Sequence, residues 1–421
     1  MTRNSGVSII LVSIFTTCLF SIDTTLGQST AVSTAVPFLL INSSPDANGQ
    51  GCTSISRISD DPYAINFNPA HLGLSSTQTN AMFSFYPTKT LWLPGLGLED
   101  LTFNAFVFSG GINLEKYTTW PVSIGIAYSR VDLNLGQFNR TSSSPDIVST
   151  FTGEEHHDAM SVGFGLDLGV WLAIGITFRR IESKLADFGA GQEQGSGSAS
   201  AWSHDFGFLI NVPIIDLTAK KSELISGIAP LFNLSVGSAL TNVGGKMAYI
   251  DKAQADPLPR NISIGTTIEL GFKYTRTDQK LLSFTWSRQS DNLLVGGGNP
   301  ASFYRGGFGD IDFFKNIVQG KRTETIDLSQ GWQIAIAEIV FIRAGSYVGT
   351  GNRSFTTEGL GWHLSGFLKL LQGLVVEKSK ELSFIAEHFD IRYDRSYYKA
   401  TENGQPIDNT GFSSLTIIVK L

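Results

Sequence analysis

The sequence predicts an all-β membrane β-barrel of about fourteen antiparallel strands with an N-terminal plug or lid segment. Three observations carry the prediction: few charges without a spanning helix, alternating hydrophobicity along most of the chain, and a chain that ends inside an amphipathic strand. Only 16% of residues are charged, against roughly 25% in soluble domains. No stretch after the N-terminal leader approaches the roughly 20 apolar residues of a membrane helix. A barrel spreads its apolar residues over alternating strands instead. The 44 glycines and 29 phenylalanines suit crowded backbones and aromatic interface girdles. A net charge of −6 argues against nucleic acid as a partner.

The elements follow in chain order. Arg3 precedes an apolar run from Val7 to Phe20, and small polar residues continue to Gly27. Residues 1–27 therefore read as a removed export signal. Cys18 follows Phe15-Thr16-Thr17, a poor match to the small residues that lipoprotein cleavage wants. Without the signal Cys52 is the one remaining cysteine, so no internal disulfide forms. A small buried hydrophobe is its simplest role. Residues 28–79 form the plug or lid segment. From Val36 to Leu74 the chain does not alternate, and it holds Asn42-Ser43-Ser44-Pro45, Gly49-Gln50-Gly51 and Asn68-Pro69-Ala70.

Residues 80–421 form the barrel. Leu172, Ile174, Ile176 and Phe178 alternate with Ala173, Gly175, Thr177 and Arg179, and similar runs recur. A strand sends alternate residues to opposite faces. Here the second face is mostly Gly, Ser, Ala and Thr, which suits a lumen. Big apolar residues then face lipid, and Asp167, Arg179, Asp205, Glu269 and Lys273 face inward. The reverse parity would cost about 2–4 kcal/mol per charge at mid-membrane. Strands are expected near 80–88, 100–109, 120–133, 157–168, 171–183, 201–212, 229–242, 260–273, 279–289, 323–334, 338–348, 356–369, 381–395 and 411–421. Long connections after odd strands, including 134–156 and 290–322, place the large loops outside the cell. Leu415, Ile417, Val419 and Leu421 make the closing strand, and an even strand total puts both termini in the periplasm.

Chemistry-bearing constellations are absent from the pattern. Neighbouring His156 and His157 on a strand point to opposite faces and would not converge on a metal. No P-loop, dinucleotide fingerprint or zinc spacing occurs. The expectation is a protein that is not an enzyme, with no catalytic residues, cofactor or metal.

Val36-Pro37-Phe38-Leu39-Leu40-Ile41 with Pro45-Asp46-Ala47, then Ser59-Asp60-Asp61-Pro62 through Asn68-Pro69-Ala70-His71-Leu72, resemble the mature N-terminus of the PorV/PorQ family. Trp92-Leu93-Pro94, Gly237, Asn242 and Gly244, Leu258-Pro259 and Ile264-Gly265 follow in order. So do Glu338, then Ile342-Arg343-Ala344-Gly345 with Tyr347, and Gly359-Leu360-Gly361. Gly51-Cys52-Thr53-Ser54, the Ser346 interruption and the length of loop 290–322 depart from the family pattern. The resemblance implies a fourteen-stranded barrel similar to FadL-type channels, in the outer membrane, serving the type IX secretion system. It implies outer-membrane lipid, secreted cargo with C-terminal signal domains, and translocon or attachment-complex proteins as partners. A passive channel for hydrophobic small molecules is the alternative on the same fold. The family motif residues are Asp60, Asp61, Asn68, Pro69, Ala70 and Leu72 in the plug, and Glu338, Arg343, Gly345 and Tyr347 in the barrel. For the plug set a structural role is the simpler reading: Asp60 caps a short helix and Asn68-Pro69 ends it.

Overall fold

The computed structural model describes residues 34–115, 117–141, 147–186, 197–218, 227–249, 255–297, 302–350, 353–374, 380–402 and 404–421. The expected export signal and most of the Gly/Ser-rich stretch 189–200 lie outside the described residues.

Fourteen strands close into one antiparallel barrel: β1 Asn80–Phe85, β2 Thr102–Asn113, β3 Val122–Thr141, β4 Ile147–Asp167, β5 Trp171–Lys184, β6 Ser198–Pro213, β7 Ile228–Gly244, β8 Asn261–Tyr274, β9 Gln279–Leu293, β10 Ile326–Ile336, β11 Val340–Val348, β12 Ser354–His363, β13 Phe389–Ala400 and β14 Gly411–Lys420. Each pairs with the next. β1 pairs with both β2 and β14, which closes the ring and leaves no edge. The two-residue strand Thr90–Leu91 adds to β2 within the first loop.

The parity is the expected one. Ile126, Met160, Ile174, Phe206, Leu282 and Leu360 are exposed on the outside, while Ala127, Ser161, Thr177, Arg179, Asp205 and Ser283 are buried within. A closed wall with an apolar exterior and a polar lining is the structure that lipid permits, because every strand's backbone groups find partners. The chain is an outer-membrane β-barrel. Asn80 pairs with Lys420 at one end. This end carries the tight turns after β4, β8 and β10, which marks it as periplasmic.

Three expectations need correction. The stretch 134–156 is strand rather than loop at its described residues 134–141 and 147–156. β3 and β4 stay paired as far as Thr141 and Ile147, with register shifts after Asn134 and Arg140. Above the lipid neither face has to be apolar, so alternation fades while pairing continues. Second, 356–369 and 381–395 are strand only in part. The plug carries the short helices α1 Pro45–Asn48 and α2 His71–Ser75; among the described residues α3 Ile214–Thr218, α4 Leu364–Leu374 and α5 Lys380–His388 lie on periplasmic connections. Leu364, Phe367, Leu368 and Leu371 recur at helical spacing, which prevails over strand pairing where the wall ends. Third, the described part of the N-terminal segment begins at the outer level of the barrel rather than the periplasmic one. The Ala35 N–H donates to the Pro257 carbonyl (2.9 Å), and Pro257 belongs to the outer connection between β7 and β8.

From that outer level the plug descends inside the barrel. Val36, Phe38, Tyr63 and Ile65 pack with Tyr86, Leu101, Phe103, Phe355, Tyr398 and Phe412 into an apolar cluster that fills the outer half of the lumen. Below it the fit is backbone against backbone. Gly111, Gly125, Gly163, Gly175 and Gly207 occupy directly paired positions on β2 to β6, one unbroken row of five. Any Cβ on this row would overlap the plug: Ser76 at Gly111, Leu72 at Gly125 and Gly163, Pro69 at Gly175, Asn68 at Gly207. Beside the row, Gly237 on β7 faces Ile55, and farther round the wall Gly331 and Gly345 face Gln50 and Gly51. The Leu421 N–H donates to the Thr79 carbonyl (2.8 Å) where the plug joins the wall.

Candidate functional site: the plug clasp

The plug is held by charges as well as by close packing. Ser44 caps α1, its Oγ accepting from the Ala47 N–H at 2.9 Å, and Pro45 starts the turn, as suits a first helical position. This sets Asp46 in the first turn, pointing at the wall. Arg57 of the plug lies 2.9 Å from Asp46. Arg343 of β11 reaches Asp46 at 2.7 Å and Asp394 of β13 at 2.6 Å, and its Nε donates to Gln333 at 2.8 Å. All four charged side chains are nearly inaccessible. Burial works against the Asp46 carboxylate, but Arg343 and Arg57 more than offset it and hold its pKa below the ordinary value. A second pair sits nearer the periplasm. Arg392 bridges Asp60 (3.1 Å) and Asp390 (2.6 Å). The Arg392 guanidinium, then Lys420, hold the half-exposed Asp60 carboxyl below its ordinary value.

Asp61, not Asp60, caps the following turn of helix, Pro62–Asn66. Its Oδ1 accepts from the Tyr63 N–H (3.1 Å) and its other oxygen from Ser44 Oγ. Asp60 is occupied by Arg392 instead. Burial, then the neighbouring Asp46 charge, push Asp61 up to about 6. His71 Nε2 donates to the Ser54 carbonyl (2.8 Å), and burial pushes the imidazole pKa down to about 4. Asn68 is fully buried. Its amide donates to Ile55 (2.8 Å) and Phe208 (3.1 Å) carbonyls while its Oδ1 accepts from the Ala70 N–H (3.1 Å). The Asn-Pro-Ala-x-Leu segment thus ties two plug segments to β6 and seats on the glycine row.

The expected barrel residues separate into two groups. Arg343 and Gly345 meet the plug, one by charge and one by backbone approach to Gly51. Tyr347 lies higher on the same strand, donating to Asp327 (2.5 Å) and stacking on Phe355. Glu338 is remote from the clasp. With Ala337 it forms a periplasmic turn at positive φ (52° and 53°), 3.9 Å from Lys369. Arg57, Asp394 and Arg392 are clasp members that the sequence did not single out, and Asp46 entered it only within a motif; Asp46 meets Arg343, and Asp60 meets Arg392, across most of the chain length, so no local pattern marks these contacts.

Charges expected to face inward pair inside the wall, while Arg130, Asp158, Arg180 and Glu182 lie on the outward parity of β3 to β5. Arg179 pairs with Asp205 at 2.7 Å inside the wall, and Glu269 with Lys280 at 2.6 Å. His157 faces inward against Phe38, and His156 faces out, 3.5 Å from Glu182. Cys52 is half-buried at φ 66° with its Sγ 3.2 Å from the Tyr398 hydroxyl. Two cavities lie at the rims. One, of about 360 Å³, is lined by Glu154, His156, Arg180 and Glu182 at the outer end, and the other, of about 210 Å³, by Thr77, Gln78, Asn113 and Asp167 at the periplasmic end.

No protein-family model and no curated protein matches the sequence. Among solved structures the chain is similar to a Pseudomonas aeruginosa FadL homologue (12% identity, TM-score 0.36, covering 90% of this chain and 98% of that one). It is also similar to the CymD monoaromatic hydrocarbon channel (9% identity, TM-score 0.41, 91% and 98% covered), and to the Ralstonia pickettii toluene transporter TbuX (10% identity, TM-score 0.36, 90% and 98% covered). The PorV/PorQ resemblance rests on its ordered motifs alone. What the geometry of the chain itself establishes is an outer-membrane β-barrel of fourteen strands closed around an N-terminal plug.

Proposed function

We propose that the protein is a non-enzymatic outer-membrane barrel that works through its outer mouth, binding or shuttling secreted cargo with a C-terminal signal domain in the type IX secretion system. The observation that carries this reading is the seated plug. An apolar cluster fills the outer half of the lumen, plug backbone lies on wall glycines, and buried ion pairs lock it there. A barrel built this way presents its loops rather than its lumen. The ordered PorV/PorQ motifs support the cargo role. Leu96 and Leu98 in the first outer loop and Phe303 and Phe308 in the fifth stand exposed, as a protein-docking rim would.

A second reading is a channel for hydrophobic small molecules; TbuX is described as a toluene transporter and CymD as a monoaromatic hydrocarbon channel. Its own observation is the apolar continuity from exposed Leu91 and half-buried Trp92 and Leu93 into the Phe103–Phe412 cluster. That path would admit an apolar solute if the plug moved. Deleting the gene separates the two. The first reading expects loss of surface display of proteins that share a C-terminal signal domain. Normal display with impaired uptake of aromatic hydrocarbons would replace it with the second.

A further inference from the structure

The outer face of β9 changes character midway. Leu282, Phe284 and Trp286 face outward, and the same parity carries Arg288, Ser290 and Asn292 to the outside of the wall. Gln289 between them faces the lumen, where its Oε1 accepts from the plug N–H groups of Ser54 and Ile55. Yet the three outward polar residues are at most 2% exposed. Their cover is the outer connection between β9 and β10, folded down over the exterior of the barrel. Arg288 Nη1 donates to the Ile317 and Val318 carbonyls (3.0 Å each), Asn292 Nδ2 to the Thr325 carbonyl (2.7 Å), and Asn292 Oδ1 accepts from the Asp310 N–H (2.9 Å). Outward Ile326 and Leu328 on β10 are buried with them.

This strap has its own fixed shape. Asp312 accepts from the Lys315 N–H and starts the wide helical turn Phe313–Val318. Buried Asn316 clamps it, bonding the Asp312 N–H (2.8 Å) and the Lys321 carbonyl (2.7 Å). Ile317 points at the wall and is fully buried. Phe313, Phe314 and Val318 turn outward, with Phe314 71% exposed. Directly below, Trp286 and Trp332 face each other across β9 and β10, and the Arg288 guanidinium lies 4.9 Å from the Trp286 ring. Paired tryptophans on a lipid-facing wall mark the membrane interface.

We propose that residues 305–325 are an external strap that anchors this side of the barrel in the outer leaflet, with Phe313, Phe314 and Val318 seated among lipid. The occupant is lipid because the strap continues the lipid-facing belt at its tryptophan edge, and because its exposed surface joins aromatic rings to Lys315, the composition of an interfacial amphipathic turn. The strap also replaces lipid over Arg288, whose charge its carbonyls satisfy.

The test uses the full chain with Cys18→Ser and Cys52→Ser, refolded into phosphatidylethanolamine/phosphatidylglycerol vesicles, with a nitroxide on Phe314→Cys or, separately, on Val318→Cys. Leu360→Cys on the lipid-facing wall and Leu98→Cys in the first outer loop are the references. Both strap labels should collide with a water-soluble nickel chelate roughly threefold less than the Leu98 label, and with oxygen nearly as often as the Leu360 label. Chelate accessibility equal to that of Leu98 would overturn the proposal. So would a photo-crosslinking residue at Phe314 that, in intact cells, forms adducts with protein, whether another chain or a second copy, and none with lipid.

Discussion

Arg343 on β11 and Asp46 in the plug meet at 2.7 Å inside the lumen, and the same guanidinium holds Asp394 at 2.6 Å. One wall residue therefore neutralises two carboxylates, one belonging to the plug and one to the wall. Removing one partner of a buried pair strands the others. Arg343→Met should cost about 3–5 kcal/mol, read as a lower temperature of the heat-dependent shift on semi-native gels. Adding Asp394→Asn should restore part of that loss. Equal stability of Arg343→Met and the wild type would show that the clasp does not hold the plug.

The glycine row makes a geometric prediction. A side chain at Gly175 must displace the Pro69 carbonyl and the Ala70 N–H. Overpacking of this kind costs about 1–3 kcal/mol. Gly175→Val should destabilise the barrel by that amount and make the plug sensitive to protease added from the periplasmic side. Gly245→Val is the control, because a Cβ there meets nothing within 4 Å. Identical behaviour of the two variants would remove the row from the account.

That row also shows what the sequence could and could not say. The alternation of Ile174, Ile176 and Phe178 with Gly175, Thr177 and Arg179 was legible as a wall with a small-residue lining, because period 2 is a local property. The strand count, parity and periplasmic turns followed from it. The match of Gly175 with Gly163 and Gly207 depends on register between strands, and the match with Pro69 depends on a segment over a hundred residues earlier. Neither leaves a local trace. The clasp was half visible: Arg343 stood out through a motif, but Asp46 and Asp394 acquire meaning only when the plug enters the barrel. The start of α4 and most of α5 read as strand in the sequence because short apolar runs fit both periods.

Two plug groups titrate in overlapping windows with opposite signs. Burial and Asp46 raise Asp61 to about 6, from an ordinary carboxylate value of 3.8, so the folded state holds its proton more tightly. Its ionisation costs stability as pH rises between about 4 and 6. Burial lowers His71 to about 4, from an ordinary 6.5, so the folded state excludes its proton. Stability is then lost as pH falls from about 6.5 toward 4. In unfolding midpoints measured from pH 4 to 7.5, Asp61→Asn should gain relative to wild type as pH rises, and His71→Gln should gain as pH falls. Parallel profiles for wild type and Asp61→Asn would exclude the Asp61 contribution.

Cys52 can report on the plug without perturbing it. It follows Gly51, whose N–H donates to Thr357 of β12 (2.8 Å), and its Sγ lies against Tyr398 of β13. Burial pushes the thiol up to about 12. Only the thiolate alkylates, so at pH 8 the seated thiol should react with iodoacetamide at a small fraction of the free-cysteine rate. The clasp and row variants should accelerate it in step with their destabilisation: Arg343→Met and Gly175→Val strongly, Gly245→Val not at all. Reaction that stays slow in Arg343→Met while its unfolding temperature falls would place the damage in the wall and leave the plug in its seat.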